Sequence, residues 1–401
     1  MSPRTSALLT LILIAAGCGH ARPATSTKSR VVDGAEWKLL WHDEFDGDAL
    51  DAGKWKIGLP WRGSDGEGRH HDDRYASYIM DHNVVVEGGV LKLLTRREDA
   101  KDAKGRTFHF TQGLITSAHS FRHRYGYWEA RVKIPVEAGP GLWPAFWTLA
   151  EGWPPEMDIC EVWTSTNRNH QGMAYRPPQG GRERWDDVDR RDVPLPGRWN
   201  TFGMEWGPGY QIYNVNGRVT KRVYGDHVTD AEHYILLNSG VESERPPTFW
   251  TRFPNAFEVD YVRVYERPDA PAFHNGGFED GDAPWKLSGQ AVRVGYGKRI
   301  GKYALRVDHG GAAEQKVYGL RPGTTYALTG WVNTLAGRAE LTADGHVATQ
   351  RKDDGRRRVE FTTAGDATSA MVRCTAPVET SVALFDDIEV RALPDPSRRD
   401  R

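Results

Sequence analysis

Glu156-Met157-Asp158-Ile159-Cys160-Glu161 places three acids in six residues, with Trp143-Pro144-Ala145-Phe146-Trp147 before it and Val162-Trp163 after. Solvated acidic patches sit among Lys, Ser and Gly, whereas these neighbours are apolar and aromatic. On a helix, 100° per residue sends the three carboxylates in widely separated directions. On a strand Glu156 and Asp158 share a face and Glu161 falls out of phase. One β-bulge at Ile159-Cys160 adds the extra residue that returns Glu161 to the face of the other two. Glu156 and Glu161 then stand like i and i+4, with Cα atoms about 13 Å apart. Inward-leaning side chains could close the carboxyl gap to roughly 5 Å, a separation at which one carboxylate attacks while the other delivers a proton. The stretch reads as a catalytic strand.

Strand patterns surround it. Val84-Val85-Val86-Glu87 and Val90-Leu91-Lys92-Leu93-Leu94 are joined by Gly88-Gly89, and Tyr210 to Val215 meets Arg218-Val219 through Asn216-Gly217, both hairpin signals. Tyr127 to Ile134 alternates, with Trp128, Ala130, Val132 and Ile134 on one face and Tyr127, Glu129, Arg131 and Lys133 on the other. Phe257 to Tyr265 alternates as well. Long helical patterns are absent, and short strands between Gly, Pro and Asn turns predict an all-β chain: a β-sandwich or jelly roll. A concave sheet of that kind can lay a row of acids and aromatic rings under a polysaccharide.

At 401 residues two folded domains are expected. A net charge of −1 without long single-sign blocks gives no footprint for nucleic acid. Fifteen tryptophans is a heavy load; large aromatics fill cores, and a chain this rich in them can also use some as flat stacking surfaces. Three cysteines cannot build a disulfide framework; Cys160 and Cys374 read as buried free thiols in different domains.

Arg4, the apolar run Ala7–Ala16 and Ala16-Gly17-Cys18 read as an export signal over 1–18, too short to span a bilayer. The small residues before Cys18 resemble a lipoprotein lipobox, with Ala15 where Leu is commonest, so lipidation of Cys18 is expected; the alternative is a secreted protein. Residues 19–35 read as a flexible linker, 36–267 as the first domain, 268–271 as a stiff Pro-bounded linker, 272–393 as the second domain and 394–401 as a tail.

Trp41-His-Asp-Glu-Phe-Asp-Gly47, Gly113-Leu-Ile-Thr-Ser117, Tyr125-Gly-Tyr-Trp-Glu-Ala-Arg-Val-Lys-Ile-Pro135, Trp143 to Trp147, the acidic stretch and Asp260-Tyr-Val-Arg-Val-Tyr265 occur in that order. Together they resemble family 16 glycoside hydrolases, in particular the laminarinase, agarase and carrageenase branches, which carry the bulged form of the acidic motif. The resemblance implies a β-jelly-roll and retaining endo-hydrolysis of a β-glycan. It makes Glu156 the nucleophile and Glu161 the general acid and base. Asp158 lies between them, its charge expected to raise the pKa of Glu161 and its hydrogen bond to orient Glu156.

Around these acids, Trp153 resembles the family's sugar-stacking tryptophan before the nucleophile. Trp143 is open between cleft and core, and Trp147 is expected in the core. His170 and Asn238 match regions that contact sugar or tune the acid, and Glu129 with Arg131 is either a cleft pair or a structural ion pair. Asn200 stands where relatives often have His. His70-His71-Asp72-Asp73 reads as a solvated loop rather than a metal site. The resemblance also implies structural rather than catalytic Ca²⁺, with oxygens from Asp260, Glu44 and Gly89.

The second domain, with Asn275-Gly-Gly-Phe-Glu279, Leu320 to Trp331 and Phe385 to Val390, resembles β-sandwich carbohydrate-binding modules of the families 4, 9 and 22 type. Trp285, Tyr296 and Tyr318 are its stacking candidates, with core or edge packing the alternative for each. The expected partners are a polysaccharide and, through Cys18, a membrane, with the chain acting as a monomer. β-1,3-glucan is the favoured substrate. A β-galactan is the alternative, to which Arg62, Arg69 and Arg74 and then Arg176, Arg182 and Arg184 lend weight, with Asp186, Asp187 and Asp189 beside the second group to neutralise it locally; a transglycosylase and a non-catalytic binder on the same fold are the remaining readings.

Overall fold

The computed structural model describes residues 29–32, 35–177, 179–191, 197–266, 271–351 and 354–393. The leader, Cys18 and the tail therefore lie outside the described residues. Two short 3-10 turns, Asp81–Asn83 and Val136–Ala138, are the helical pieces among them; nearly everything else regular is strand.

The first domain is two antiparallel-dominated sheets packed face to face. The front sheet has seven strands in the order Arg184–Arg190, Arg168–Tyr175, Glu156–Trp163, Leu142–Leu149, Tyr234–Val241, Leu114–Thr116 and Lys56–Ile57. The back sheet has eleven, with Gly126–Lys133 at its middle between Trp199–Gly207 and Asn255–Glu266. Both predicted hairpins form. Gly88 and Gly89 turn at φ 61° and 74°, and Asn216 and Gly217 at 52° and 79°, the left-handed values a two-residue hairpin demands.

Between the sheets lies one apolar core. The alternation of Gly126–Lys133 holds: Trp128, Ala130 and Val132 enter the core against Phe146, Met157, Ile159, Cys160 and Val162 of the front sheet. Burying a side chain such as Phe146 contributes about 2–3 kcal/mol. The acidic strand is thus fixed from beneath by its own apolar residues. Cys160 and Cys374 are buried free thiols.

Ser29–Val32 pairs antiparallel with Ala35–Asp43. The back sheet therefore begins at Ser29, inside the stretch expected to be linker. The second domain is a sandwich of two five-stranded sheets around its own core, which includes Trp285. It docks on the outer face of the back sheet: Tyr318 Oη–H donates to Asp226 Oδ1 at 2.7 Å, Arg222 pairs with Asp280 at 2.9 Å, and Tyr210 meets the His274 ring at 4.2 Å. Of the three stacking candidates in this domain, Trp285 is core and Tyr318 is part of the interdomain contact. Tyr296 is half exposed, its hydroxyl accepting from Arg306.

Candidate active site

The bulge forms where the acid spacing requires it. Phe146 faces Cys160 but Trp147 faces Asp158, and on the other side Asp158 faces Gly172 while Glu161 faces His170. Ile159 has no register partner in either neighbouring strand. Ile159 and Cys160 both turn into the core, and that doubled inward step returns Glu161 to the cleft face. A buried side chain closes the irregularity: Gln171 Nε2 donates to the Ile159 carbonyl at 2.8 Å, and Gln171 Oε1 accepts from Thr220.

Glu156, Asp158 and Glu161 line one groove, between Tyr75, Trp143 and Arg74 on one side and Trp163, His170 and Trp185 on the other. The groove opens into a second hollow bounded by Trp61, Trp153 and Tyr234; the two volumes are about 310 and 600 Å³. Glu156, His71 and Arg74 border both, so the nucleophile candidate sits at the waist of a continuous cleft.

Each outer acid has an indole donor. Trp153 Nε1–H donates to Glu156 Oε2 at 2.6 Å, and Trp143 Nε1–H donates to Glu161 Oε1 at 2.8 Å. Trp143 is held flat against Tyr75, with ring centroids 4.3 Å apart and planes 5° from parallel. Asp158 is 2% exposed, and its Oδ2 has no hydrogen-bond partner. His170 turns Nε2 toward that oxygen at 3.9 Å, while its Nδ1 is held by Asp189 at 3.0 Å. One ligand-type atom from each of Asp158, Glu161 and His170 lies within 4.8 Å of the others.

Burial pushes Glu156 up to about 7, against the opposing pull of the Trp153 N–H, Arg74 and His170. Burial also takes Glu161 to about 7, opposed by His170 and reinforced by the charge of Glu156. Asp158 is driven well above the carboxylate range by burial, then by the charges of Glu156 and Glu161. The bond between Asp158 and Glu156 favours the protonated form of the first and the ionised form of the second. The like charge of Glu156 raises Glu161, and the charge of Glu161 in turn raises Asp158, so the three acids titrate as one cluster.

The other expectations divide. Trp153, Trp143 and His170 are in the cleft. Trp147, expected in the core, is buried yet lines the cleft, because the strand face it shares with Ala145 is the concave one. Asn238 is fully buried under that row, accepting from Trp147 Nε1–H at 2.8 Å and donating to the Trp143 carbonyl at 3.1 Å. It holds the tryptophans and cannot meet a substrate. Glu129 and Arg131 lie on the outer face of the back sheet, where Arg131 pairs with Asp260 at 2.6 Å, so they are no cleft pair. Asn200 is also on the back sheet, accepting from Asn216.

The His70–Asp73 loop, expected to be solvated, is so only at its Asp73 end, where the side chain is exposed. His70 is fully buried, its ring bonded to Ser64 and the Tyr75 carbonyl, and His71 lines the cleft. Asp72 grips the Arg74 guanidinium through Nε and Nη2 and is held well below the usual carboxylate range; after the burial that opposes it, the His71 and Arg74 bonds are the causes. Sequence reasoning did not single out Tyr75, Trp163, Trp185 or Glu242 as cleft residues. The alternation Glu161-Val162-Trp163 was a usable signal for Trp163, which follows Glu161 by one strand period.

For the calcium set, Asp43 pairs with Val262 and Leu91 with Val259, so Glu44 and Gly89 flank Asp260-Tyr261 from either side. The placement suits an oxygen-bound ion. The carboxylates are held at present by arginines, Glu44 by Arg263 at 2.8 and 2.9 Å and Asp260 by Arg131, so an ion there would have to share them.

Residues 71–237 match the model of the glycosyl hydrolases family 16, and residues 270–372 that of a carbohydrate binding domain. The chain is 25% identical over 383 residues to the keratan-sulfate endo-1,4-beta-galactosidase of Sphingobacterium multivorum, spanning 86% of this chain and 85% of that one. It is 26% identical over 304 residues to the beta-glucanase of Rhodothermus marinus, spanning 66% of this chain and 95% of that one. Among solved structures it is similar to an endo-beta-1,3-glucanase from Pyrococcus furiosus, with 28% identity, a TM-score of 0.51, and coverage of 60% of this chain and 98% of that one.

Proposed function

We propose that this chain, a family 16 glycoside hydrolase with a carbohydrate-binding domain behind its catalytic one, is an exported endo-β-1,3-glucanase working by double displacement. The observation that carries this is the bulge, which sets Glu156 and Glu161 on one cleft face with Asp158 between them. Glu156 attacks the anomeric carbon to form a glycosyl ester, oriented by the Trp153 N–H and by Asp158. Glu161, loaded with a proton near neutrality by burial and by the charge of Glu156, protonates the departing oxygen and then activates water. The glucan assignment draws on the likeness to the Pyrococcus furiosus and Rhodothermus marinus enzymes.

A β-galactan is the second reading. It is favoured by the Sphingobacterium multivorum relative, whose similarity runs through both domains, and by Arg74, which borders both hollows of the cleft. One reducing-end assay against laminarin, agarose, porphyran, carrageenan and keratan sulfate decides. Release from laminarin with endo-type products supports the glucanase; release from a galactan alone replaces it; release from none removes the hydrolase assignment at this site.

The reading includes lipid attachment at Cys18, which would hold the cleft at a membrane surface facing extracellular polymer. A radiolabelled lipid precursor should mark the protein in cells, and a Cys18→Ser variant should lose the label; an unlabelled wild type would make it a secreted enzyme instead. Any calcium held by Glu44, Gly89 and Asp260 would brace the back sheet, remote from the acids.

A further inference from the structure

Phe249 and Trp250 are the most exposed large apolar side chains among the described residues, at 90% and 80% of their free area. Leaving two such rings in water costs burial energy that the fold does not recover. They sit edge to face, centroids 5.4 Å apart, at the tip of the segment joining Tyr234–Val241 of the front sheet to Asn255–Glu266 of the back sheet.

The tip is held rigidly. The Thr248 N–H donates to Thr251 Oγ1 at 3.0 Å, and the Thr251 N–H returns to the Thr248 carbonyl at 3.1 Å. Thr251 Oγ1–H donates to the Pro140 carbonyl at 2.8 Å, and the Arg252 N–H to the Ala138 carbonyl at 2.7 Å. Gly141 carries φ 90°, and a Cβ there would meet Pro247 N at 2.2 Å, so the two segments are pressed together. Rings presented on a pinned turn form a preorganised surface, the arrangement that binds at least entropic cost.

Two features identify what it meets. The same segment begins as a cleft wall, with Glu242, Ser243 and Arg245 lining the groove at the Glu161 end. On its other side Phe249 borders a depression of about 560 Å³ with Arg96, Arg97, Glu98 and Phe253. The Arg97 guanidinium is fixed there over Phe110 and Phe253, at 5.3 and 5.2 Å from their centroids. Flat apolar rings beside fixed charged donors and acceptors match a pyranose, which presents a C–H face and a rim of hydroxyls.

We propose that Phe249, Trp250 and the Arg96-Arg97-Glu98 depression form an accessory glycan subsite on the cleft rim, holding a polysaccharide chain beyond the residues that enter the active groove. The proposal rests on the hydrolase reading, and on the substrate being a polymer long enough to leave the cleft and cross the rim. Each ring contributes only while the chain is there, so the site acts on polymer affinity and not on bond cleavage.

The test is the full chain with Phe249→Ser/Trp250→Ser, assayed on laminarin and on a laminari-oligosaccharide too short to reach past the cleft. KM for the polymer should rise roughly five- to tenfold with kcat unchanged, as expected for loss of two stacking contacts of this kind; turnover of the short oligosaccharide should stay within twofold. In a Glu156→Gln background, the same double substitution should weaken retardation in laminarin-containing gels, the carbohydrate-binding domain being identical in both proteins. Equal polymer KM and equal retardation would overturn the subsite. So would loss, in the variant alone, of sedimentation with phosphatidylglycerol vesicles while polymer kinetics stay unchanged, since the rings would then serve a lipid surface. A wild-type enzyme inactive on every glycan would instead bring down the hydrolase reading on which the subsite stands.

Discussion

Gln171→Met tests whether the bulge is held by the hydrogen bond that crosses it. Gln171 is fully buried, and its Nε2 is the donor that reaches the carbonyl of unpaired Ile159. Methionine keeps the length and most of the volume but cannot donate. The Ile159 carbonyl would be left without that donor, a cost of about 1–3 kcal/mol. For a domain of this size that is a drop in Tm of roughly 2–12 °C, at 2–4 °C per kcal/mol. Activity should fall further than stability suggests. Ile159 is two residues from Glu161, and a displacement of about 1 Å in a catalytic group can cost on the order of 100-fold. We expect kcat on the best polymer substrate to fall roughly 10- to 100-fold with KM nearly unchanged, read by reducing-end release beside a thermal melt. A variant with the expected loss of Tm but wild-type kcat would refute the reasoning, because the acids would then be positioned without the brace. Wild-type Tm would mean that the carbonyl finds another donor and that the bond carries no load.

Glu156→Ala should lower turnover by at least about 10³-fold, and added azide should restore it as an α-glycosyl azide; a β-product would reverse the assignment of nucleophile and acid. Trp143→Phe removes the N–H that favours ionised Glu161, so Glu161 should rise above its value of about 7 and the alkaline limb of kcat/KM should move to higher pH; an unmoved limb would detach Trp143 from the acid. Glu161→Gln should make the protein more heat-stable as pH rises. A folded pKa lifted from 4.5 to about 7 means that the protonated acid's advantage is present below 4.5 and lost as pH climbs through 7. The difference, on the order of 3 kcal/mol, should appear as a Tm gap over wild type that widens between pH 5 and 8; a constant gap would show that Glu161 titrates normally.

The parts of this molecule legible in its sequence are those set by local period and turn chemistry. Gly88-Gly89 and Asn216-Gly217 announce hairpins because few other pairs tolerate two positive φ angles. The acid spacing announces the bulge because no regular element brings Glu161 into phase. What escaped depends on which of two sheets a strand joins. Glu129-x-Arg131 and Trp143 to Trp147 are both alternating strands, but Gly126–Lys133 lies at the middle of the back sheet and Leu142–Leu149 in the front one. Pairing across sheets of eleven and seven strands is a long-range choice that leaves no mark within eight residues. The same blindness put Asn238 at the substrate rather than beneath the tryptophans. It also let His70 pass as solvated, since its burial depends on contacts with Ser64 and Tyr75 that a loop reading does not anticipate.

The surroundings of the three acids differ in a way that their order along the strand does not reveal. Glu156 and Glu161 have indole donors and open onto the cleft, so either can carry charge. Asp158 has no indole donor, is 2% exposed and sits between two potential anions, so burial and both neighbouring charges raise it well above the carboxylate range. In the double-displacement scheme the coupling between Glu156 and Glu161 also acts on the second step. Forming the glycosyl ester removes the charge of Glu156, which is the electrostatic cause of the raised Glu161 pKa. Burial and the opposing pull of His170 remain. Glu161, having spent its proton on the leaving group, then has less reason to recover one and is poised to take a proton from water. Losing that charge favours the switch from acid to base without any movement of the bulge, and hydrolysis restores it with the Glu156 carboxylate.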